Sequence, residues 1–450
     1  MQQNTPSVTY TTCPMTRPLS GSIRVPGDKS ISHRSIMLGA LAEGVTEITG
    51  FLQGEDSLNT LRCFRAMGVP ITEPVDGYVR VEGVGLYGLK APAAPLYVGN
   101  SGTSMRLMAG ILAGQAFETV LTGDESLSRR PMKRVIDPLT QMGAVIESAE
   151  GRAPLRILGG QRLKGIDYRL PMASAQVKSC LLLAGLYAEG QTCVTEPAPT
   201  RDHTERMLHG FGYAVARDGA RACVQGGGKL TARAIDVPAD ISSAAFFLVA
   251  ASIAPGADLT LRHVGMNPTR TGVIDILRLM GADITVETPR EVGGEPVADL
   301  RVKSAALRGV TIPEALVPLA IDEFPVLFVA AACATGRTIL TGAEELRVKE
   351  SDRIAVMADG LTALGIQAEA TADGMIIEGA GDQALPFGQA RIDCHGDHRI
   401  AMAFAVAGLR AAGTIIIEHC EFVDTSFPGF ATLFQTVGGG LQVTQQESGA

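Results

Sequence analysis

The sequence predicts an α/β protein built from six copies of one βαβαββ unit, and three observations predict it. Six glycines each close an apolar helix pattern and are followed by a short strand-like run: Gly68, Gly143, Gly212, Gly281, Gly365 and Gly438, at intervals of 69 to 84 residues. Glycine just past a helix end is the expected left-handed cap. Two polar helix starts recur before each of these glycines. The nearer start lies 11 to 13 residues upstream, at Asp56, Arg130, Arg201, Arg270, Arg353 and Ser426, and the farther one 38 to 43 residues upstream, at Ser30, Gly102, Ser174, Ser242, Asp322 and His398. Strand-like runs, such as residues 78–82 and 284–287, lie between and after the helices. A unit of about 70–75 residues is larger than a solenoid repeat and reads as one sheet packed on two helices.

Composition narrows the class of function. A chain of 450 residues, 46% hydrophobic and 19% charged, has ample core for two or three domains and is unlike a disordered protein. The net charge of −8 argues against non-specific nucleic-acid binding but leaves room for a cleft that focuses positive charge on a small anion. The longest apolar runs, near residues 244–254 and 400–409, fall short of the ~18–20 residues of a membrane span. No basic segment followed by an apolar core opens the chain, so no secretory signal is expected. The eight cysteines form no C-x-x-C pair and no zinc spacing, and the expectation is buried, reduced thiols in a cytoplasmic protein.

The helix starts carry the polar clusters. Pro26-Gly27-Asp28-Lys29-Ser30-Ile31-Ser32-His33-Arg34 delivers a Lys, an Arg and several hydroxyls to a helix N-terminus. Unpaired N–H groups and the dipole can hold an anion there, although a solvated cap explains the same residues. Gly99-Asn100-Ser101-Gly102-Thr103-Ser104-Met105-Arg106 is a second glycine-rich start, which a tight turn explains equally well. Arg129-Arg130-Pro131-Met132 puts Pro131 at a first helical position with Arg130 just outside. The segment 172–179 starts a helix with Ser174, Ala175 and Gln176, side chains suited to neutral hydrogen bonding. In Thr200-Arg201-Asp202-His203-Thr204-Glu205, capping accounts for Asp202 and leaves Arg201 unexplained. Asp322 and Glu323, before an apolar run, are a cap or a general base. The segment 347–353 carries three basic and two acidic residues in seven, which a solvated charge run would ordinarily explain, and Asp397-His398-Arg399 leads straight into an apolar helix. Caps are ordinarily Ser, Thr, Asp or Asn. Repeated Arg and Lys oppose the helix dipole, which makes sense if an anion sits between them. No metal-ligand spacing, nucleophile elbow or dinucleotide fingerprint occurs, so neither metal nor cofactor is expected.

The ordered motifs Pro-Gly-Asp-Lys-Ser-Ile-Ser-His-Arg, Gly-Asn-Ser-Gly-Thr-Ser-Met-Arg, Arg-Arg-Pro-Met, Arg-Val-Lys-Glu-Ser-Asp-Arg and Asp-His-Arg-Ile-Ala-Met resemble those of the 5-enolpyruvylshikimate-3-phosphate synthases, over residues 19–430. Arg201-Asp202-His203 and Ile321-Asp322-Glu323-Phe324-Pro325 are similar to its class II bacterial members. The resemblance implies an inside-out α/β barrel, two domains of three βαβαββ repeats each. One domain would comprise residues 1–26 and 238–450 and the other 27–237, with the active site in the cleft between them.

The implied reaction transfers the enolpyruvyl group of phosphoenolpyruvate to the 5-hydroxyl of shikimate 3-phosphate through a non-covalent tetrahedral intermediate and releases phosphate. By motif position, Lys29, Ser30, Arg34, Ser174, Ala175, Gln176, Arg201, Asp322 and Lys349 would hold shikimate 3-phosphate. Lys29, Gly102, Arg130, Gln176, Arg353 and Arg399 would hold phosphoenolpyruvate. Asp322 would take the hydroxyl proton and Glu350 would protonate the methylene carbon. The family also implies a monomer, and Gly102 implies sensitivity to glyphosate. In two places the sequence departs from many members: Leu107 stands where they have Pro, and no Lys precedes Thr425-Ser426-Phe427-Pro428. The sibling transferase acting on UDP-N-acetylglucosamine carries a reactive Cys before its Arg-Pro, and residues 115–130 contain none.

Overall fold

The structure is a computed structural model that describes residues 7–381 and 383–446. The chain divides into two compact units. One comprises residues 1–26, 239–290 and 296–450, and the other residues 27–238 and 291–295.

One four-strand order recurs in four of the six repeats, and the sheets around Ala42–Thr49 and Thr335–Leu340 depart from it. In the repeat with helix Ala175–Gly185, strands Asp167–Arg169, Gln191–Thr195, Arg221–Gln225 and Val215–Asp218 lie side by side in that order. The first pair is parallel and the other two are antiparallel. The repeat with helix Gly102–Ala113 copies this order with Leu96–Tyr97, Thr119–Thr122, Arg152–Ile157 and Ile146–Ala149.

Three repeats borrow a strand from a distant part of the chain. Ile235–Asp236 pairs parallel with Ala42–Thr49. Ser20–Ile23 supplies the parallel partner of Asp258–Gly265. Ser7–Thr12 lies between Ile415–Glu418 and Leu441–Gln446.

All six closing glycines have positive φ, from 78° to 114°. The two helices of each repeat differ in kind. The first is buried on nearly every face; Ile241–Ile253 and Phe324–Cys333 are buried throughout. The second, such as Glu55–Ala66, is buried along one stripe only. A helix apolar all round belongs inside and an amphipathic one at the margin. Close packing of the inner helices requires glycine at Gly110, where a Cβ would lie 2.2 Å from the Cys180 carbonyl oxygen. In the other unit, Phe247, Phe427, Phe430 and Phe434 form an aromatic core, with Phe427 and Phe430 edge to face at 5.3 Å. Among the described residues no helix is long and apolar enough to cross a membrane.

Four sequence expectations are corrected. Pro131 is not the first helical residue: the helix is Lys133–Gln141, because the Arg130 N–H closes the preceding turn on Leu127 and the Met132 N–H is tied to Gly151. Ser426 ends the short helix Val423–Ser426 rather than starting one. Phe427 is held out of the helical region before Pro428, and the next helix, Phe430–Thr436, begins after left-handed Gly429. Asp202 occupies an N-cap position without capping, since its carboxylate accepts from Arg206 and Arg217. Cys193 and Cys223 are joined by a disulfide, because antiparallel register sets them opposite each other on buried strands; the other six cysteines are free thiols.

Candidate active site

The polar helix starts gather into two clusters, one in each unit. In the unit containing residues 27–238, helix Lys29–Leu41 is capped by the Asp28 carboxylate, which accepts from the Ile31 N–H at 2.8 Å. Lys29, at the first helical position, pairs with Asp56 at 2.5 Å. Arg34 is buried one turn on. Its guanidinium donates to Thr204 Oγ1 at 2.8 Å, to the Ser30 carbonyl at 3.0 Å and to Ser179 Oγ at 3.0 Å. Arg34 therefore ties the Ser30 turn to the helices Ala175–Gly185 and His203–Gly210, beside Arg201. Ser174 caps its helix on Val177, and Ala175 and Gln176 follow it at the half-exposed start.

Gly102 begins the helix Gly102–Ala113 behind the cap Ser101. A Cβ at Gly102 would lie 3.1 Å from Arg106 Nη1 and 3.5 Å from Arg130 Nη1, so the glycine faces two guanidinium groups. Arg130 donates to Asn100 Oδ1 at 2.6 Å, and Arg106 to Gln176 Oε1. Gln176 donates in turn to Thr103 Oγ1 at 3.0 Å. Burial pushes Arg106 down to about 10, and the charges of Arg134 and Arg130 push the same way. Like charges crowded at a helix N-terminus suit a bound anion.

The second cluster mixes charges of both signs. Arg353, buried at the start of helix Arg353–Ala363, reaches three carboxylates: Asp397 at 2.8 Å, Glu350 at 2.7 Å and Asp322 at 3.5 Å. Lys349 also lies 3.5 Å from Asp322, and 2.6 Å from Glu345. Arg399 donates to the Asp322 carbonyl at 3.0 Å. Burial opposes the Arg353 charge, but Asp397 and Glu350 outweigh it and hold the guanidinium above its ordinary value. Glu350 is half-exposed; burial raises its carboxyl, yet the Arg353 charge prevails and leaves it below its usual range. Glu323 accepts from Ser242 Oγ and sits 3.8 Å from Arg399, and burial pushes its carboxyl up.

The sequence profile described as EPSP synthase (3-phosphoshikimate 1-carboxyvinyltransferase) matches residues 14–433. The chain belongs to this family. A 3-phosphoshikimate 1-carboxyvinyltransferase from Alkalilimnicola ehrlichii is 72% identical over 424 residues, 94% of each chain. One from Methylococcus capsulatus is 69% identical over 427 residues, 95% of this chain and 97% of the other. A solved EPSP synthase from Acinetobacter baumannii superposes with a TM-score of 0.94 at 59% identity, covering 97% of this chain and all of that one. The chain is accordingly an enzyme, a transferase of the shikimate pathway, with the family's inside-out α/β fold.

Sequence reasoning assigned no role to Arg106 or Asp397. Arg106 had a readable signal, since it follows Gly102 by four residues and so shares its helix face. Asp397 carried less. Its place beside Arg353, 44 residues away in sequence, is a tertiary fact.

Proposed function

We propose that the chain moves the enolpyruvyl group of phosphoenolpyruvate onto the 5-hydroxyl of shikimate 3-phosphate, with Asp322 and Glu350 as the proton-transfer pair. One observation carries the assignment of roles: a single guanidinium, Arg353, reaches both carboxylates through its two terminal nitrogens, Asp322 through Nη1 and Glu350 through Nη2. Asp322 takes the hydroxyl proton as oxygen attacks C2, and Glu350 delivers a proton to C3. In the second step a methyl proton returns to Glu350 while phosphate leaves, protonated by Asp322. Arg353 on its own favours the Glu350 carboxylate, the wrong form for an acid. A substrate anion on Arg353 offsets that guanidinium and restores the proton affinity of Glu350.

Lys29, Ser30, Arg34, Ser174, Ala175, Gln176, Arg201 and Lys349 serve shikimate 3-phosphate. Lys29, Gly102, Arg130, Gln176, Arg353 and Arg399 serve phosphoenolpyruvate. We read the enzyme as a cytoplasmic monomer sensitive to glyphosate, because glycine at position 102 leaves the arginine-lined start open. Phosphate release, followed with both substrates, with UDP-N-acetylglucosamine in place of the shikimate ester, and in Glu350→Gln, tests the reaction. Release is expected only with shikimate 3-phosphate, and a fall of about 10²–10⁴ in kcat in the variant. Release with the nucleotide sugar would point to the sibling enzyme. Gly102→Ala should weaken glyphosate inhibition, since its methyl displaces Arg106 by a few tenths of an ångström; an unchanged inhibition constant would remove that reading.

A further inference from the structure

His33 has no part in the roles above, yet it is fully buried one turn after Lys29. Its Nδ1 lies 2.8 Å from Thr60 Oγ1 and 3.4 Å from Ser104 Oγ. Thr60 Oγ1 is 2.7 Å from Ser104 Oγ, and Ser104 Oγ donates to Ser101 Oγ at 2.7 Å. All four side chains are buried, and they join three helices: Lys29–Leu41, Glu55–Ala66 and Gly102–Ala113.

Proton accounting fixes the direction of this chain. Each hydroxyl has one hydrogen to give. Ser104 gives its hydrogen to Ser101, so the hydrogen in the Thr60–Ser104 contact is the one on Thr60. That contact is shorter than the 3.4 Å one from Thr60 to the Asp56 carbonyl. Thr60 must then accept from His33, whose proton sits on Nδ1. Nε2 is left as an acceptor with no partner among the described residues. The opposite tautomer would bury an unpaired donor and break the chain at its first link. Burial, reinforced by Lys29 and Arg34 and opposed by Asp56 and Asp28, pushes the imidazole down to about 3.

At the far end, Ser101 Oγ accepts from the Ser104 hydroxyl and, as helix cap, from the Ser104 N–H at 3.0 Å. Among the described residues its own hydrogen has no acceptor. Next to it stands Gly102, facing Arg106 and Arg130, and the Arg106 Nε is also buried without a partner. We propose that His33, Thr60 and Ser104 form a one-way positioning chain that leaves the Ser101 hydroxyl as a donor to the anion held at the Gly102 helix start. This rests on the reading that phosphoenolpyruvate binds there. His33 is a positioning residue in this scheme: it touches no substrate.

Two measurements on the full chain test it. Imidazole nitrogen NMR of the histidine-labelled protein, with His33 assigned by its loss in His33→Asn, should show Nδ1 protonated and Nε2 bare from pH 8 to pH 5. A proton on Nε2, or titration of His33 within that range, would overturn the proposal. In kinetics, Thr60→Val keeps the shape and breaks the chain. It should raise KM for phosphoenolpyruvate about tenfold, leave KM for shikimate 3-phosphate within about twofold, and be rescued by Thr60→Ser. An unchanged KM, or an equal rise for both substrates, would reduce the chain to packing. A wild-type protein that turns over neither substrate would instead sink the reaction itself, and the tautomer would still be readable.

Discussion

Arg106 and Arg353 are both buried arginines at helix starts, and their surroundings are opposite. Arg353 touches Asp397, Glu350 and Asp322, and its charge is stabilised above the ordinary level. Arg106 has Gln176 and the Pro131 carbonyl as acceptors and Arg130 and Arg134 as electrostatic neighbours, and its charge is destabilised. The first guanidinium is part of the folded protein's own charge balance. The second has no carboxylate counterpart among the described residues that contact it, so a bound anion would supply one. The difference separates a cluster that manages protons from a cluster that receives negative charge.

The hardest way to break this comparison is to remove Arg353. Arg353→Met leaves Asp397, which has no exposed side-chain surface, as an uncompensated carboxylate in the interior. The expected loss is about 3–5 kcal/mol of stability, read by urea unfolding, together with loss of turnover. A variant as stable as the wild type would show that Asp397 finds another partner and that Arg353 is held for function alone.

Arg106→Met should do the reverse. Replacing an uncompensated buried charge by an apolar side chain of similar length is neutral or stabilising in many proteins, so the change in unfolding free energy should stay within about 1 kcal/mol. KM for phosphoenolpyruvate should meanwhile rise at least tenfold, as one charged hydrogen bond is lost. Strong destabilisation without a change in KM would make Arg106 a structural residue and erase the contrast.

How much of this was legible in the sequence depends on the range of the signal. The closing glycines were legible because left-handed geometry is a local demand, and all six adopt it. Lys29 and Gly102 were legible as helix starts because each stands in a short motif, and helices begin at both. The borrowed strands were not: Ser7–Thr12 completes a sheet with residues more than 400 positions later, and no local pattern encodes that pairing. The Cys193–Cys223 bridge was hidden for the same reason, since only sheet register brings the two cysteines together. Asp202 misled because its type and position suit a cap, whereas Arg206 and Arg217 compete for its oxygens. The chain from His33 to Ser101 uses four residues of three ordinary types, and its meaning appears only when three helices are packed.

The smallest effect concerns a histidine in the opposite situation to His33. His419 is half-exposed and bonds Asp393 at 2.7 Å; that hydrogen bond raises its proton affinity above the ordinary value. A folded-state pKa above the unfolded one gives stability that is fully present below the unfolded value of about 6.5 and is lost as pH rises through the folded value. Removing the pair in His419→Gln should therefore cost about 0.2–1 kcal/mol at pH 5.5, the range of exposed ion pairs, and close to nothing at pH 9. Urea unfolding at the two pH values reads the difference directly. A cost that grows with pH would mean that His419 acts through its neutral form, as His33 does. The contrast between a buried neutral imidazole and an exposed charged one would then fail.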